Sequence, residues 1–277
     1  MASVIPALGQ TLGPYRLVQG IALGGLAAVL RGLDERSRRE VAIKIPLAGA
    51  LADDASRERL RREALVLARL DRSAAPACVD FGSQDGIDFL VLEYVEGRTL
   101  RALLRESGPV EEAALLPHGR QIAAALAEVH RRGVIHCDVK PSNVVLTPGG
   151  AVRLLDFGHA RFAGEDFARD TGTLPYMAPE RLQGRRPDER ADLWSLGVLL
   201  FEMATGERPF RGGTSEETAA AIREGSLTAP SRFRSGISDR FDRIVLRALE
   251  KDPDRRYSSA GEMSRELGAA GRKRPLS

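Results

Sequence analysis

Residues 136–143 read His-Cys-Asp-Val-Lys-Pro-Ser-Asn, and the triplet Asp-Phe-Gly follows at 156–158. These stretches place a carboxylate, an ammonium group and two further oxygen-bearing side chains in a short part of the chain. Transfer of a phosphoryl group from a nucleotide requires such a set, because a carboxylate orients the attacking hydroxyl, a Lys contacts the moving phosphate and hard oxygen atoms bind Mg²⁺. The alternative is a polar loop whose Asp and Asn only cap turns. The joint occurrence of both stretches favours phosphoryl transfer.

The composition indicates a folded domain with a substantial core. The chain has 277 residues, of which 43% are hydrophobic, enough to fill one large domain or two lobes. Its 41 basic and 38 acidic residues give a net charge of +3, which does not predict a nucleic-acid partner. The longest strongly apolar run, residues 193–201, is too short to span a bilayer, and no signal-peptide pattern opens the chain. We therefore expect no membrane segment in this chain.

The two cysteines, Cys78 and Cys137, lie far apart, and the second falls inside the stretch at 136–143. A disulfide framework is therefore not expected, and a reducing, cytoplasmic location fits better.

Lysine is scarce in this chain, since only four of the 41 basic residues are Lys. Two of the four, Lys44 and Lys140, stand where phosphoryl transfer calls for a Lys. An ammonium group is a compact point charge that reaches phosphate oxygens where a guanidinium fork is bulkier. The scarcity of Lys elsewhere makes both positions more informative.

Hydrophobic periodicity predicts a sheet-rich first part and a helical second part. Strands are expected at 15–18, 28–30, 40–45 and 87–95, with a helix from about Asp53 to Leu70 between the last two. A second helix is expected from about Glu111 to near Gly133, followed by short strands at 144–146 and 152–155 and a mainly helical region from Pro179 to about Leu267. Two lobes with a cleft between them would result.

Residues 41–44 read Val-Ala-Ile-Lys, and Glu63 lies on the helix that follows. Alone, this motif describes a strand with a solvated Lys. Combined with the stretch at 136–143, it resembles the eukaryotic-like (Hanks-type) serine/threonine protein kinases, especially the bacterial ones. The resemblance covers about residues 15–268 and implies an α+β, bilobal protein-kinase-like fold. Such a fold has a small antiparallel β-sheet N-lobe with one main helix, a larger and mostly α-helical C-lobe, and an ATP cleft between them.

The resemblance also sets the expected domain boundaries. The N-lobe would cover about 15–93 and the C-lobe about 97–268. Residues 1–14 would form a flexible lead-in, and 269–277 a basic tail.

In this family the Lys at the position of Lys44 contacts the α- and β-phosphates of ATP, and the helix Glu, here Glu63, orients it. The Gly-rich loop is the weakest match. It aligns with residues 22–27, where Ala22 and Ala27 replace two of three customary glycines, Gly24 is kept and an extra Gly25 follows. Glycine lets backbone N–H groups approach phosphate closely, so the replacements should weaken ATP binding rather than abolish it.

Residues 89–97 resemble the segment that joins the two lobes, with Leu92 as gatekeeper. The resemblance implies that the backbone C=O of Glu93 and the backbone N–H and C=O of Val95 face adenine. Four apolar side chains would sandwich the adenine ring: Val29, Ala42, Val145 and Leu155. The alternative for residues 89–97 alone is a buried strand followed by a turn.

In the catalytic loop, the resemblance assigns Asp138 to the substrate hydroxyl and Lys140 to the γ-phosphate. Asn143 would bind one Mg²⁺ and Asp156 would bridge both metal ions, with Mn²⁺ as an alternative ion. A Lys at the position of Lys140 also implies specificity for Ser and Thr. The expected partners are thus ATP and a protein substrate with Ser or Thr, while the oligomeric state stays open.

Two other functions are compatible with part of the sequence. A small-molecule phosphotransferase is disfavoured because residues 172–180, Gly-Thr-Leu-Pro-Tyr-Met-Ala-Pro-Glu, resemble the peptide-docking end of a protein-kinase activation segment. The altered Gly-rich loop and Cys137 favour a pseudokinase that binds nucleotide or acts as a scaffold. The complete set of catalytic candidates argues against it: Lys44, Glu63, Asp138, Lys140, Asn143 and Asp156. By family analogy, Glu180 should pair with Arg256, and Asp192 should accept hydrogen bonds from the catalytic-loop backbone.

Cys137 stands where most members of this family have an Arg that pairs with a phosphorylated residue of the activation segment. A thiol cannot form that pair, so the chain would be of the non-RD type. Thr171 and Thr173 are the only Ser or Thr residues between Asp156 and Glu180, and Thr173 has the family's structural role beside Asp138. We therefore hypothesise activity that does not require loop phosphorylation. A redox-sensing role for Cys137 is a weaker hypothesis.

Overall fold

The computed structural model describes residues 6–24, 27–47, 54–165 and 172–271. The chain divides into two compact units, Met1–Glu96 and Gly97–Ser277. Gly97, where we expected the C-lobe to begin, is the first residue of the second unit. The α+β class is confirmed, with an antiparallel sheet in the first unit and a helical second unit.

The first unit is an antiparallel sheet of six strands in the order β1-β2-β3-β4-β6-β5. A single helix, α1, lies between β4 and β5 in sequence and contacts β5 and β6. Their bounds are β1 Thr11–Leu12, β2 Tyr15–Leu23, β3 Ala27–Asp34, β4 Glu40–Pro46, α1 Asp54–Leu67, β5 Cys78–Gln84 and β6 Ile87–Glu93.

The core of this unit follows from the alternation of side chains along the strands. On β4, Val41, Ile43 and Ile45 are buried, while Ala42 and Lys44 between them are partly exposed on the other face. The buried side chains form a cluster in which the rings of Tyr15 and Phe89 meet edge to face at 6.4 Å. One face of the sheet is therefore committed to the core, and the other carries Lys44.

Two expectations for the first part of the chain need correction, namely the lead-in at 1–14 and the end of helix α1. Residues 11–12 are not a flexible lead-in, because Thr11–Leu12 pairs with Arg16 and Tyr15 and the Leu12 side chain is buried. Strand β5 had no sequence prediction at all. The expected helix start at Asp53 lies outside the described residues, and α1 ends at Leu67, three residues before the expected end.

The second unit begins with strand β7 (Arg98–Thr99) and contains seven helices among its described residues. These are α2 Leu100–Ser107, α3 Glu112–Arg131, α4 Pro179–Leu182, α5 Glu189–Thr205, α6 Ser215–Glu224, α7 Asp239–Ala248 and α8 Ala260–Ala270. Four short strands complete two small sheets, β10-β9-β7 and β11-β8: β8 Val134–Ile135, β9 Val144–Leu146, β10 Val152–Leu154 and β11 Arg161–Phe162. Helix α8 runs through Ala270, so the expected tail at 269–277 does not begin at residue 269. Within the described ranges, no helix is both long enough and apolar enough to cross a bilayer.

Helix α5 is the centre of the second unit. Its residues 191–204 are buried on all sides, as expected of a helix without a polar face. Asp188 caps its first turn by accepting from the Arg190 backbone N–H, and Gly206, with φ +78°, ends it in the left-handed conformation that favours glycine. Helix α3 packs against α5 and α8. A Cβ at Gly119 would lie 2.8 Å from Leu200 Cδ2, so a larger residue there would displace the Leu200 side chain where α3 and α5 approach.

A buried ion pair joins the end of the activation segment to the region before α8. Glu180 on α4 and Arg256 form two parallel hydrogen bonds of 2.8 Å, and both side chains are buried. Arg256 also donates to the backbone carbonyls of Glu250, Arg190 and Lys251. The predicted Glu180–Arg256 pair is therefore confirmed.

Replacing Arg256 by Met should lower the free energy of unfolding by about 3–5 kcal/mol, because Glu180 is left as a buried carboxylate without its cation. Urea unfolding followed by circular dichroism measures this loss. The matched control is Arg255→Met, because the Arg255 side chain is 73% exposed. This substitution should change the free energy of unfolding by no more than about 0.5 kcal/mol. Equal effects of the two variants would contradict the prediction.

Candidate active site

Lys44 is fixed in the first unit by an ion pair with Glu63. Its Nζ lies 2.7 Å from Glu63 Oε2, and the Glu63 side chain is only 1% exposed. The alternation on β4 points Lys44 away from the core, and α1 supplies the carboxylate. The pairing expected between this strand Lys and the helix Glu is present, while its role towards a nucleotide stays a prediction.

Three of the other nucleotide-binding candidates in this unit, Ala22, Val29 and Ala42, lie on strands β2, β3 and β4. Val29 is directly opposite Lys44 on β3, Ala22 is opposite Val29 on β2, and Ala42 is opposite the predicted gatekeeper Leu92 on β6. Because directly opposite residues of paired strands project to the same face, Val29, Ala42 and Lys44 share one face of the sheet.

The turn after β2 and the end of β6 hold the remaining candidates of the first unit. Gly24 donates its N–H to the Ala27 carbonyl at 2.9 Å, and a Cβ there would lie 3.3 Å from that oxygen. Gly25 lies outside the described residues. Glu93 ends β6, and Val95 follows it outside any strand. Their contacts with a phosphate or adenine stay predictions.

Asp138 is a buried carboxylate of the second unit that several hydrogen bonds hold in place. It is 3% exposed, and its Oδ1 accepts from the backbone N–H and the hydroxyl of Thr173, at 3.0 and 2.9 Å. Its Oδ2 lies 2.6 Å from Lys140 Nζ and accepts from Asn143 Nδ2 at 3.1 Å. Lys140 also donates to the Thr173 hydroxyl at 2.7 Å. The sequence candidates Asp138, Lys140 and Asn143 are thus in direct contact, with Thr173 as the fourth member.

The hydrogen bonds of Asn143 decide the orientation of its amide. Asn143 ends a single 3₁₀ turn, Pro141–Asn143, and its Nδ2 donates to both the backbone oxygen and the carboxylate of Asp138. The amide oxygen lies on the other side of the group, where it accepts from the Ser142 hydroxyl at 3.4 Å and keeps a second lone pair. Beside it, the Asn143 backbone oxygen accepts from the N–H of Leu155 at 2.8 Å. This bond connects Asn143 with the chain that leads into Asp156.

Asp156 follows β10 in a left-handed backbone conformation, with φ +58°. A residue other than Gly is uncommon there, and such conformations cluster at functional sites. The amide oxygen of Asn143 and the carboxylate of Asp156 are hard ligands, and Mg²⁺ is commonly bound by one or two protein groups together with substrate phosphates. The residues present therefore fit Mg²⁺. Among the described residues, no group of three or more His, Cys, Asp or Glu forms a complete metal site. Val145, on β9, and Leu155 flank this region in sequence.

The backbone before Asp138 is held by Asp192 of α5. Asp192 is fully buried, and its carboxylate accepts from the backbone N–H groups of His136 and Cys137, both at 2.8 Å, and from His130 Nε2 at 2.8 Å. Burial by itself would raise the pKa of Asp192, but the hydrogen bond and charge of His130 and the contacts of His136 hold that pKa below its usual range. The predicted contact between Asp192 and the catalytic-loop backbone is confirmed.

Cys137 does not carry a reactive thiol. Its side chain is 2% exposed, and burial, with a contribution from the nearby charge of Asp192, raises the pKa of the thiol to about 12. Reactive cysteines are exposed and have a lowered pKa. Burial and the raised pKa of the thiol therefore argue against the redox-sensing hypothesis for this residue. The unusual feature of Cys137 is its left-handed backbone conformation, with φ +64°.

Three contacting residues were not predicted from the sequence. His130, on α3, reaches Asp192, and His136 packs its ring on Phe157 at 4.6 Å between ring centroids. Arg181, on α4, donates to the backbone oxygen of Cys137. His130 and His136 are two of only four His in the chain, a scarcity that could have drawn attention to them. Arg is abundant, so nothing in the sequence distinguishes Arg181.

Comparison with known proteins agrees with this arrangement. Residues 15–266 match the family described as protein kinase domain. This covers most of the chain, so the chain belongs to the protein kinase domain family.

Several relatives are bacterial proteins named as serine/threonine-protein kinases. The chain is 37% identical to PknL of Mycobacterium tuberculosis over 269 residues, which covers 95% of this chain and 67% of PknL. It is 36% identical to PknD of the same species over 270 residues, covering 95% of this chain and 40% of PknD. A probable serine/threonine-protein kinase of Streptomyces coelicolor is 39% identical over 268 residues, covering 93% of this chain and 40% of that protein. The chain thus spans about two fifths of the length of several relatives.

Replacing Asp192 by Asn should lower the free energy of unfolding at pH 7 by about 2–4 kcal/mol, because an NH₂ group then faces one of the three buried donors. The folded-state pKa of Asp192 is lowered, so its contribution is present above the unfolded pKa of about 4 and is lost as the pH falls through the folded-state value.

The difference in stability between wild type and Asp192→Asn should therefore narrow from pH 7 to pH 3. Urea unfolding across this pH range measures it. The exposed Asp239 provides a control, Asp239→Asn, that should change stability little at any of these pH values. A difference that stays constant with pH would contradict the assignment.

Proposed function

We propose that this chain is a serine/threonine protein kinase domain that transfers the γ-phosphate of ATP to Ser and Thr hydroxyls of a protein. The observation that carries the proposal is the set of contacts around Asp138, which joins a buried carboxylate to Lys140, Asn143 and Thr173. The names of the bacterial relatives support Ser and Thr as acceptors. The family match supports a protein kinase rather than a small-molecule phosphotransferase.

In this proposal each residue of the catalytic loop has one task. Asp138 accepts a hydrogen bond from the substrate hydroxyl and aligns its oxygen for attack on the γ-phosphate. Thr173 keeps one carboxylate oxygen of Asp138 in place, and Lys140 directs its ammonium group to the transferred phosphate. Asn143 and Asp156 would hold Mg²⁺, or Mn²⁺ in its place. When bound, the metal ion neutralises charge on the phosphates.

The nucleotide would be held by the candidates that the resemblance supplied. Lys44, held by Glu63, would contact the α- and β-phosphates, and the backbone of Glu93 and Val95 would pair with adenine. Ala22, Gly24 and Gly25 would cover the phosphates, and Val29, Ala42, Val145 and Leu155 would contact the ring. With alanines in place of two glycines, we expect weaker ATP binding than a complete Gly-rich loop provides.

We further propose that the kinase is of the non-RD type and does not require phosphorylation of its activation segment. Cys137 offers no cation to a phosphate, and its thiol is buried. Thr173 already contacts Asp138 through its backbone and its side chain. Both cysteines are free thiols, which fits the reducing, cytoplasmic setting that we propose for this domain.

Replacing the carboxylate of Asp138 tests the chemical step. Asp138→Asn should lower the rate of phosphate transfer from labelled ATP to a generic basic protein by about 10²- to 10⁴-fold, the range expected on loss of a positioned acid–base group. The control, Asp239→Asn, replaces an exposed Asp of the same unit and should keep wild-type activity.

The pseudokinase alternative rests on the altered Gly-rich loop and predicts a different result. In that case the wild-type chain binds ATP and Mg²⁺ but transfers no phosphate in the same assay. Calorimetric binding measured alongside the transfer rate separates the two functions.

Another prediction concerns the activation segment. Phosphatase-treated wild type and Thr171→Ala should each keep activity within about tenfold of the untreated enzyme, since no Arg follows His136 to receive a phosphate. Thr171 itself lies outside the described residues. Thr173→Ala serves as the contrast, because it removes the hydroxyl between Lys140 and Asp138 and should cost about tenfold or more. A loss above tenfold in the first two samples would overturn phosphorylation independence.

A further inference from the structure

Arg181 is a buried cation that the proposed chemistry does not use. It lies on α4 next to Glu180, which Arg256 holds in the buried ion pair. Arg181 is only 5% exposed. An Arg is rarely buried to this extent unless its guanidinium meets defined partners. Its partners therefore indicate what it does.

One partner is the peptide that leads into the catalytic Asp. Arg181 Nη1 donates to the backbone oxygen of Cys137 at 2.5 Å, and this carbonyl belongs to the peptide bond between Cys137 and Asp138. The N–H of Cys137 is held on its other side by Asp192. Cys137 has the left-handed backbone that disfavours residues other than Gly. A strained residue persists when its surroundings fix it, and here both of its backbone polar groups are fixed.

The second partner region is the end of the activation segment. Gly172 has φ +145°, and a Cβ on it would lie 3.1 Å from Arg181 Nη2 and 3.3 Å from the Cys137 oxygen. The guanidinium therefore lies directly against the backbone of Gly172 while it contacts the catalytic loop. The next residue, Thr173, donates twice to Asp138. Arg181 thus touches both chain segments that determine where the Asp138 carboxylate lies.

We propose that Arg181 is a positioning residue that joins the activation segment to the catalytic loop permanently and so replaces phosphorylation as the means of ordering them. The inference rests on the proposed kinase function and names the regulation of that site. The cation comes from α4 rather than from the residue after His136. It contacts the backbone of Cys137 and Gly172 instead of an added phosphate group. No added phosphate is needed, because the contact to the Cys137 carbonyl exists without one.

Replacing a residue that only supports stability should have a different effect from replacing a positioning residue. If Arg181 only stabilises α4, its loss lowers the melting temperature and leaves the turnover of the folded enzyme unchanged. If it positions Asp138, its loss lowers kcat at a temperature where the protein is fully folded. The dissociation constant of ATP should then change little, because Lys44 and Glu63 pair within the first unit.

The experiment compares Arg181→Met and Arg181→Lys with the matched control Arg185→Met, whose residue is exposed four positions further on. We expect kcat to fall by about 10- to 100-fold in Arg181→Met, the effect of a small misplacement of a catalytic group. Arg181→Lys should fall between this variant and wild type, since an ammonium has no planar fork with which to contact both segments. Arg185→Met should match wild type.

Hydrogen–deuterium exchange of the backbone at residues 136–139 gives a readout that does not depend on activity. Exchange there should be faster in Arg181→Met than in wild type and unchanged in Arg185→Met. If wild type transfers no phosphate, the kinase proposal fails while the exchange data still test the contact. If Arg181→Met does not fold, Arg181→Lys decides the question. Wild-type kcat, or wild-type exchange, in a folded Arg181 variant would overturn the inference.

Discussion

The buried carboxylate of Asp192 is the contact on which the candidate site depends. It stands on α5, where the surrounding helix is buried on all sides, and its two oxygens accept from the backbone of His136 and Cys137 and from His130. A charge in such a place is stable only when its acceptors are satisfied. Because two of those donors, the N–H groups of His136 and Cys137, belong to the first residues of the catalytic loop, the hydrogen bonds that stabilise Asp192 also set the path of the chain into Asp138.

The other side of the catalytic loop is held by the activation segment. Glu180 and Arg256 attach α4 to the rest of the second unit, Arg181 reaches from α4 to the Cys137 carbonyl, and Thr173 reaches Asp138. Two independent anchors therefore meet at one short loop, one from α5 and one from α4. This arrangement explains how a left-handed Cys can be tolerated immediately before Asp138.

Local patterns predicted the elements that carry their own signal. The apolar alternation of β4 and the long apolar stripe of α3 were recognised in the sequence, and the element types agree with the structure. Strand β5 was missed because its residues, Cys-Val-Asp-Phe-Gly-Ser-Gln, include Asp and Gly, which are depleted in strands. Pairing with β6 makes it a strand. For Thr11–Leu12 the sequence likewise predicts a lead-in, because two residues are too few to show a hydrophobic period.

By itself, the sequence determined the family and the set of functional residue types, because motifs such as residues 136–143 and 172–180 are contiguous and chemically specific. The contacts of Glu63 with Lys44, of Asp192 with the loop and of Glu180 with Arg256 were expected only through resemblance. The tertiary structure alone decided the burial of the Cys137 thiol and the contact of Arg181 with the Cys137 carbonyl. Both depend on contacts between distant parts of the chain. Cys137 and Arg181 are 44 positions apart, so no local sequence pattern links them.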